Sequence, residues 1–308
     1  MKSKRTHPLP HEFSIQGESS KNLRPLVANA SFEVLARDIV QRPRILDRID
    51  RGTEIYVPFP PTGSWEETVN ACHVLIENGC YPVPHLPARR VRDSEELINW
   101  AKSLEEANVR SVMLIAGDVT DERVYFKDSL DVLQTKILVT HGIERIGVAV
   151  YPDSHPFIPR LDLDVAFGKK LAIASRDGFT IRAVTQFGFD AAPVLTWLAK
   201  LARSELRVPV SVGVAGPTQL KTLIRYAAKC GVGHSARGLF AKPSALRVIG
   251  RWDPLQVLSP VAECLTSGLD VQVVNAHVFT FGGLETVLHW RDQLMKNCDI
   301  AVKSDVHS

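Results

Sequence analysis

The sequence has few of the features that mark membrane, secreted or metal-binding proteins. Its five cysteines are scattered and form no CxxC pair, which argues against a disulfide framework or a zinc ribbon and suits a reducing compartment. No apolar run approaches the roughly 18 residues of a membrane span. The segment Met1–Val27 is polar and basic and lacks the apolar centre of a signal peptide. We therefore expect a cytoplasmic protein that does not enter a membrane.

An excess of charge of one sign is also missing. The 37 basic and 34 acidic residues leave a formal charge of +3, which is too small to indicate a nucleic-acid partner. Hydrophobic residues make up 45% of the 308 positions and charged residues 23%, as in ordinary globular proteins. This length suits one large α/β domain or two modest ones. The composition leaves the oligomeric state open, and a homo-oligomer is compatible with it.

From residue 31 onward, short apolar runs alternate with longer segments of helical period. The runs are rich in β-branched residues and predict eight strands: Ser31–Val34, Glu54–Phe59, Tyr81–Leu86, Ser111–Ala116, Ile146–Tyr151, Ile181–Phe187, Val208–Val214 and Val271–Phe279. The segments between them predict helices: Trp65–Glu77, Ser94–Ala107, Phe126–Thr140, Ala191–Ser204, Pro217–Lys229, Pro254–Thr266 and Leu284–Lys296. The segment Gly231–Trp252 fits neither pattern.

This order favours a (β/α)8 TIM barrel with an N-terminal extension. The strand candidates are almost continuously hydrophobic, as parallel strands buried on both faces are, and eight of them alternate with helices. An open doubly wound sheet is the alternative, weakened because no GxGxxG turn follows a strand. We interpret residues 1–30 as a polar N-terminal arm, mobile or strapped over the body, and residues 31–308 as a single barrel domain.

Hydrogen-bonding side chains concentrate where the predicted strands end. In a TIM barrel these carboxyl ends meet at one rim, which carries the active site. Any one of them has an ordinary explanation, because a lone histidine at a strand end is usually packed or capped. Their joint placement nevertheless favours a binding site, and the histidines lack the spacing of metal ligands on one element. The residues at the rim are His85, Gly117, Asp118, Tyr151, His155, Gln186, His277 and Phe279.

Two of these residues illustrate the alternatives. Asp118 follows Gly117 and could simply begin a turn. Gln186 lies in an apolar strand, and a buried amide needs several hydrogen-bond partners. A ligand contact therefore explains Gln186 slightly better than a structural network does.

The rim motifs resemble those of 5,10-methylenetetrahydrofolate reductases. The matching pieces are PHL at 84–86, LIAGD at 114–118, YPDSHP at 151–156, TQFGFD at 185–190 and HVFTF at 277–281. Their order and spacing hold from about residue 31 to 296, and the YPxxHP and TQFxFD pieces are the specific ones. The resemblance implies a TIM barrel that binds FAD. It also implies an enzyme that passes a hydride from NAD(P)H through the flavin to methylenetetrahydrofolate.

The proton donor of that family is a glutamate on the first strand, in a pattern like SFEFFPP. Two segments compete for this place. Ser31–Val34 has the acid, Glu33, whereas Tyr56–Pro61 has the prolines but Val57 in place of the acid. The strand count favours Glu33, because taking Tyr56–Pro61 as strand one leaves a strand missing before PHL. The alternative for Glu33 is a solvated acid on a helix.

The resemblance also implies roles for the other rim residues. Glu33 and Asp118 would be catalytic, with Glu33 a buried acid whose pKa is raised by burial. Asp118, Gln186 and Phe279 would contact the folate. The flavin would be held by His85, Gly117, Tyr151 and His155.

Two departures concern the flavin. Ala116 stands where the family often has arginine, and the strand-eight pattern like YTLNR has become Phe279–Gly283. We therefore keep two further enzymes as alternatives, a flavin-independent reductase and a methyltransferase-type barrel that binds methyltetrahydrofolate without a redox cofactor. A folate-binding protein without catalysis is the remaining alternative.

Overall fold

Eight parallel strands close into a barrel in the computed structural model, which describes residues 17–119, 123–204, 206–229 and 250–305. Around the barrel the strands follow the order β1-β10-β7-β6-β5-β4-β3-β2. This confirms the predicted (β/α)8 fold. The barrel strands are β1 (Ser31–Glu33), β2 (Glu54–Val57), β3 (Tyr81–Pro87), β4 (Ser111–Ile115), β5 (Arg145–Val150), β6 (Thr180–Thr185), β7 (Val210–Ala215) and β10 (Val273–Phe279). A separate two-stranded sheet pairs β8 (Thr218–Gln219) with β9 (Arg251–Trp252).

Helices alternate with the barrel strands and pack against their outer face. Short 3₁₀ helices at Pro43–Arg48 and Ala88–Arg90 follow β1 and β3. The α-helices are α1 (Gly17–Ala28), α2 (Ala36–Gln41), α3 (Trp65–Glu77), α4 (Ser94–Glu106), α5 (Ser129–Gln134), α6 (Ile137–Thr140), α7 (Arg160–Asp177), α8 (Ala192–Arg203), α9 (Leu220–Lys229), α10 (Leu255–Thr266) and α11 (Leu284–Asp305).

Local sequence explains why several of these helices begin where they do. Ser64 and Glu67 form a capping box at the start of α3, in which each side chain accepts from the other residue's backbone N–H. Asp93 caps α4 by accepting from the N–H of Glu96. Asp128 caps α5 in the same way, accepting from the N–H of Leu130. These three helices follow β2, β3 and β4, so their caps lie in strand-to-helix turns at the carboxyl ends of the strands.

The long helix α7 was not predicted from the sequence. It has 18 residues, yet only Ile173 and Ala174 are fully buried, and Leu161 and Val165 are exposed. With so few buried positions its apolar period is faint. Two of the predicted helices differ from the structure. The predicted helix Phe126–Thr140 is divided into α5 and α6 by Lys136, which has a left-handed backbone conformation. The predicted helix Pro217–Lys229 begins later, because its first residues form strand β8 before α9 starts.

The end of the predicted arm is a helix that packs on the barrel. In α1 the side chains of Leu23, Leu26 and Val27 are buried, and the helix contacts α10, α11 and β10. Residues 1–16, and most of the unassigned segment Gly231–Trp252, lie outside the described residues. Within the described ranges, no helix is both long enough and apolar enough to cross a bilayer.

Candidate active site

Strand β1 places Glu33 at the carboxyl end of the barrel, facing inward. Side chains alternate along a strand, so Ser31 and Glu33 share the inner face while Phe32 is buried outside the barrel. Glu33 lies in register between Phe279 of β10 and Tyr56 of β2. The strand assignment from the sequence is therefore confirmed, and the helical alternative for this segment is wrong.

Two imidazoles flank the Glu33 carboxylate. Its Oε2 lies 3.6 Å from His85 Nε2 and 3.8 Å from His277 Nε2. Behind His277, its Nδ1 lies 3.0 Å from Ser31 Oγ. With Ser31 as the donor, the Nε2 proton of His277 points at Glu33. We call these four residues, Ser31, Glu33, His85 and His277, the Glu33 cluster.

The Glu33 cluster lies in tight surroundings that fix its geometry. The Tyr56 ring packs edge-on against the His277 ring, with centroids 4.4 Å apart. Thr280 Oγ1 donates to the Glu33 backbone carbonyl at 2.6 Å. His277 is 1% exposed, whereas the side chains of Glu33 and His85 keep 18% and 13% of their surface open. The side chains of Glu33 and His85 can therefore contact a ligand, whereas His277 is buried and contacts only Glu33 and its protein neighbours.

The electrostatics of Glu33 differ from the sequence-based expectation. Burial raises the pKa of Glu33, but its polar contact with His277 and the charges of His85 and His277 lower that pKa by more, and the net direction is downward. The expectation of a raised pKa is thus wrong, because the sequence could not reveal two imidazoles around the acid. Burial lowers the pKa of His85, although the Glu33 charge partly opposes this. At neutral pH the cluster holds an ionised carboxylate.

His85 Nε2 is buried and has no hydrogen-bond partner within the described residues. A buried donor or acceptor without a partner costs about 1–3 kcal/mol. Glu33 Oε2 lies just beyond hydrogen-bonding distance of His85 Nε2, at 3.6 Å.

An apolar layer separates the Glu33 cluster from a second charged group deeper in the barrel. The layer consists of Tyr56, Val83, Met113 and Val184. Below it Glu54 pairs with Arg145 at 2.6 Å and lies 3.6 Å from Arg182. Glu54 starts its strand, so it lies at the end of the barrel opposite the rim. This position agrees with the sequence argument against Glu54 as the acid.

A cleft of about 700 Å³ opens beside Glu33, within the usual size range of small-molecule sites. Aromatic rings form part of its wall. Tyr226 stacks on Phe281 with centroids 4.3 Å apart, and Phe281 stacks on Phe279 at 5.7 Å. The cleft is also lined by Arg37, Arg42, Arg44 and Arg48. A flat ring against the aromatic wall, with its polar edge at Glu33, suits this cleft.

The other predicted site residues lie on the part of the rim formed by β4, β5 and β6. Asp118 is exposed and follows Gly117, whose φ is +88° and whose added Cβ would lie 3.0 Å from Pro87 Cβ. His155 packs edge-on against Tyr151, with centroids 4.7 Å apart. Gln186 lies just beyond β6 and is half-buried, and its Oε1 accepts from the N–H of Phe187 at 3.0 Å. The predicted residues therefore form two groups, and only Glu33, His85 and Phe279 belong to the first.

Two of the predicted flavin contacts, His85 and Tyr151, lie apart from each other. His85 belongs to the Glu33 cluster, while Tyr151 and Gln186 line a hollow of about 10 Å³, room for about one water. Within the described ranges, His85 and Tyr151 therefore belong to different parts of the rim. The same ranges contain no group of three His, Cys, Asp or Glu side chains that could hold a metal ion.

Sequence reasoning assigned no role to His277, Ser31 or the four arginines. His277 lies at the end of β10, and its place in the rim motif was the available signal. Ser31 and the arginines carried no signal, because only the folded chain brings them to Glu33.

No known protein-family profile matches the chain. Among solved structures it is similar to a protein from Clostridium thermocellum that binds two copies of 5-methyl-5,6,7,8-tetrahydrofolic acid, with a TM-score of 0.54 and 11% identity. That match covers 91% of this chain and 99% of the other. Dihydropteroate synthase from Thermus thermophilus matches with a TM-score of 0.43 and 13% identity, over 87% of this chain and 95% of that one. At these identities the first likeness establishes a shared barrel fold, and the second is too low to establish even that.

Proposed function

We propose that this barrel binds a reduced folate in the cleft beside Glu33 and interconverts its 5,10-methylene and 5-methyl forms with a nicotinamide nucleotide. The observation that carries the proposal is the Glu33 carboxylate itself, ionised at the rim between two imidazoles. The rim motifs resembling methylenetetrahydrofolate reductases support the same chemistry. So does the similarity in fold to a barrel that binds 5-methyltetrahydrofolic acid.

The reaction requires a proton and a hydride at different atoms. When a proton reaches N10 of methylenetetrahydrofolate, the bond from N10 to the bridging carbon breaks and a cationic iminium remains at N5. A hydride from the nicotinamide then reduces that carbon by two electrons to a methyl group, and the nicotinamide is oxidised by two electrons. Catalysis therefore calls for a proton source beside a negative charge that stabilises the iminium.

The Glu33 cluster can supply both. The ionised carboxylate at 18% exposure faces the cleft and would stabilise the iminium. The proton would come from His277 in its imidazolium form, whose Nδ1–H would donate to Ser31 Oγ. The Nε2 proton would pass to Glu33 across their 3.8 Å contact and go on to the folate, leaving a neutral imidazole. Ser31 would hold the imidazole in place through Nδ1. In the reverse direction the same groups would take the proton back.

A flavin between nicotinamide and folate remains part of the prediction from the motifs. No step above depends on it. An absorbance spectrum of the purified protein separates the two routes. Flavin bands would support the flavin route, and a colourless protein that still oxidises NADH or NADPH with methylenetetrahydrofolate would support direct hydride transfer.

The test of the proposal combines binding with turnover. We expect 5-methyltetrahydrofolate to bind to the purified protein in a calorimetric titration. We also expect NADH or NADPH, added with methylenetetrahydrofolate and with or without FAD, to be oxidised while 5-methyltetrahydrofolate forms. Failure of both reduced folates to bind would contradict the proposal.

A second function, methyl transfer without a redox cofactor, is favoured by one observation. The barrel of similar fold is a protein that binds 5-methyltetrahydrofolic acid. The same cluster could protonate N5 as the methyl group leaves for a thiol or a corrinoid. Folate binding without nicotinamide oxidation, together with loss of the methyl group to one of these acceptors, would favour this function over the reductase.

A further inference from the structure

Helix α7 and the turn before it carry an exposed apolar surface. Four of the eight large apolar side chains that are exposed among the described residues lie within nine positions, namely Phe157, Ile158, Leu161 and Val165. Phe157 is 89% exposed and Leu161 is 72% exposed. A single exposed apolar side chain is ordinary, whereas a contiguous group of them usually marks an interaction surface.

The chain itself already uses the inner side of α7 and holds the turn before it in place. Ile173 and Ala174 are buried, and the helix contacts α5 and β6. Arg160, the first residue of α7, donates to the backbone carbonyls of Tyr151 and Pro152 at 2.6 and 2.7 Å. These hydrogen bonds tie the turn to the end of β5. The apolar surface is therefore already formed in the single chain.

The exposed side of α7 has the spacing of a helix that packs against another helix. Leu161, Val165, Gly168 and Ala172 follow one another at steps of four, three and four residues, as the core positions of a coiled coil do. Leu161, Val165 and Ala172 are exposed. We call these four residues the α7 stripe.

The glycine within the α7 stripe is not required by the packing of the described residues. No atom beyond the local helix backbone lies within 4 Å of a Cβ added at Gly168. Glycine inside a helix is less stable than alanine, so its presence there calls for a reason. A second helix that packs closely on the stripe supplies one, because the side chains at a helix contact set the distance between the two axes.

The α7 stripe is complementary to itself when two copies of α7 run antiparallel. About the midpoint between residues 166 and 167, Leu161 of one copy lies opposite Ala172 of the second copy. Val165 lies opposite Gly168 of the second copy by the same count. Each large side chain therefore meets a small residue, as interdigitated packing requires.

Charges beside the α7 stripe fit the same arrangement. Asp162 and Lys169 are seven residues apart, so they lie on one side of the helix, and both are exposed. Neither side chain makes a hydrogen bond or an ion pair to a described residue. In the antiparallel pair, Asp162 of each copy lies beside Lys169 of the other. In a parallel pair the acid facing Lys169 would be Asp164, which is already paired with Lys200 at 2.6 Å.

We propose that this chain forms a two-fold symmetric dimer in which the α7 stripes of two copies pack antiparallel. The interface is isologous, so each contact occurs twice. One helix pair with its adjoining turns buries less area than a permanent dimer, whose interface exceeds about 2,000 Å². We therefore expect a reversible dimer with a dissociation constant in the micromolar range. This inference does not depend on the proposed function.

Sedimentation velocity of the full chain over a range of protein concentrations measures the association. The wild type should shift from monomer to dimer as the concentration rises. Val165→Glu places a charge without a partner at the centre of the interface and should weaken association by about tenfold or more. Val40→Glu, the same substitution at an exposed position of α2, is the matched control and should leave association unchanged.

A charge reversal tests the antiparallel arrangement. Asp162→Lys brings two lysines together at each of the two symmetric contacts and should weaken association by about fivefold or more. Lys169→Asp should do the same with two acids. Asp162→Lys/Lys169→Asp restores opposite charges across the interface and should dimerise nearly as tightly as the wild type. The effect of each single reversal should shrink as salt is raised, since exposed charges are screened.

The substituted side chains are exposed in the single chain, so these variants should keep the stability of the monomer. Unfolding measured well below the dissociation constant of the dimer checks this, because association adds no stability there.

Three results would overturn the proposal. A wild-type chain that stays monomeric at every concentration forms no such dimer, and binding of that monomer to phosphatidylcholine vesicles, lost in Val165→Glu, would assign the apolar surface to lipid instead. A dimer that Val165→Glu leaves unchanged uses another surface. If Asp162→Lys/Lys169→Asp fails to restore the association lost in Asp162→Lys, the antiparallel arrangement is wrong.

Discussion

Glu33 sits where three electrostatic influences meet. Burial alone would raise the pKa of Glu33 and favour its protonated form. The polar contact with His277 and the charges of His85 and His277 lower this pKa and favour the carboxylate. The lowering of the pKa by the two histidines depends on geometry, since Nε2 of His85 and Nε2 of His277 approach the same carboxylate oxygen, Oε2, at 3.6 and 3.8 Å. The residue is therefore suited to hold a cation beside it and to pass on a proton that another group supplies.

The first prediction concerns this carboxylate. Glu33→Gln keeps the shape but removes the charge and the proton-transfer site, so turnover should fall by about 10²–10⁴-fold. Folate affinity should change much less, because the cleft and its aromatic wall stay in place. Steady-state kinetics and a calorimetric titration measure the two effects separately.

The control for this prediction is an exposed acid away from the cleft. Glu54→Gln is unsuitable, because Glu54 forms the buried pairs with Arg145 and Arg182. Glu66→Gln in the exposed first turn of α3 serves instead, and it should leave turnover unchanged. Turnover unaffected by Glu33→Gln would show that the acid lies elsewhere.

The second prediction concerns His85 and the pH dependence of stability. Burial holds the pKa of His85 below its usual value of 6.5, so the unfolded chain binds more protons once the pH drops below 6.5. The free energy of unfolding should therefore decrease on acidification from pH 7 to 5, by up to about 1.4 kcal/mol for each unit of pKa depression. The lowered pKa of Glu33 acts in the same direction at pH values below 4.5.

Urea unfolding of wild type and His85→Gln at pH 7 and pH 5 measures this effect. The variant should lose less stability between the two pH values than the wild type does. His73→Gln, the same substitution at an exposed position of α3, is the control. Identical losses in wild type and His85→Gln would contradict the explanation.

At the scale of secondary structure, β6 and β7 approach each other unusually closely below the rim. A Cβ added at Gly213 would overlap the Thr185 carbonyl oxygen and lie 3.1 Å from the Phe279 ring. The Gly213 N–H donates to Thr185 Oγ1 at 2.8 Å, so a side chain of β6 takes the place of a backbone acceptor. Glycine at this position thus allows the strand contact beneath Phe279, whose ring stacks on Phe281 of the cleft wall.

The third prediction follows from this contact. Gly213→Ala must push β6 and β7 apart, so it should destabilise the protein by about 1–3 kcal/mol, the usual cost of overpacking. Gly168→Ala on α7 is the matched control, because no atom lies within 4 Å of its added Cβ, and it should be neutral or slightly stabilising. Thermal unfolding of the two variants measures the difference. Equal stability of Gly213→Ala and Gly168→Ala would contradict the close contact between β6 and β7 at Gly213.

At the scale of the whole molecule, the barrel is closed by contacts between its first and last elements. The first strand pairs with the last strand, β10, and α1 packs against both α10 and α11. Asn275 of β10 also donates to the Asn29 carbonyl at 2.9 Å. The helix before the first strand therefore belongs to the same cooperative core as the C-terminal helices.

The fourth prediction tests this coupling. Leu26 in α1 is 3% exposed, and Leu26→Ala should lower the free energy of unfolding by about 2–5 kcal/mol. Leu161→Ala makes the same change at a side chain that is 72% exposed and should cost less than about 0.5 kcal/mol. Denaturant unfolding followed by circular dichroism compares the two. A single transition in both variants, with only Leu26→Ala shifted, is the expected result.

Long elements with strong burial were predictable, and weakly buried ones were not. All eight barrel strands were found because a strand buried on both faces must be apolar at nearly every position. Helix α3 was found to the residue because its cap and its apolar period coincide. By contrast, α7 presents few buried positions and α1 contains Pro25, so their patterns did not stand out from the surrounding loops.

The sequence by itself determined the barrel, its strand order and the place of Glu33 on the first strand, because these follow from local apolar patterns and from counting. Only the tertiary structure decided the state of that acid and its neighbours. Ser31 and His277 are 246 positions apart in the chain, yet barrel closure brings them together with Glu33. The same closure lines one cleft with Glu33, Arg42 and Phe281. The charge of a buried group depends on which side chains surround it, and that is a property of the fold rather than of any local segment.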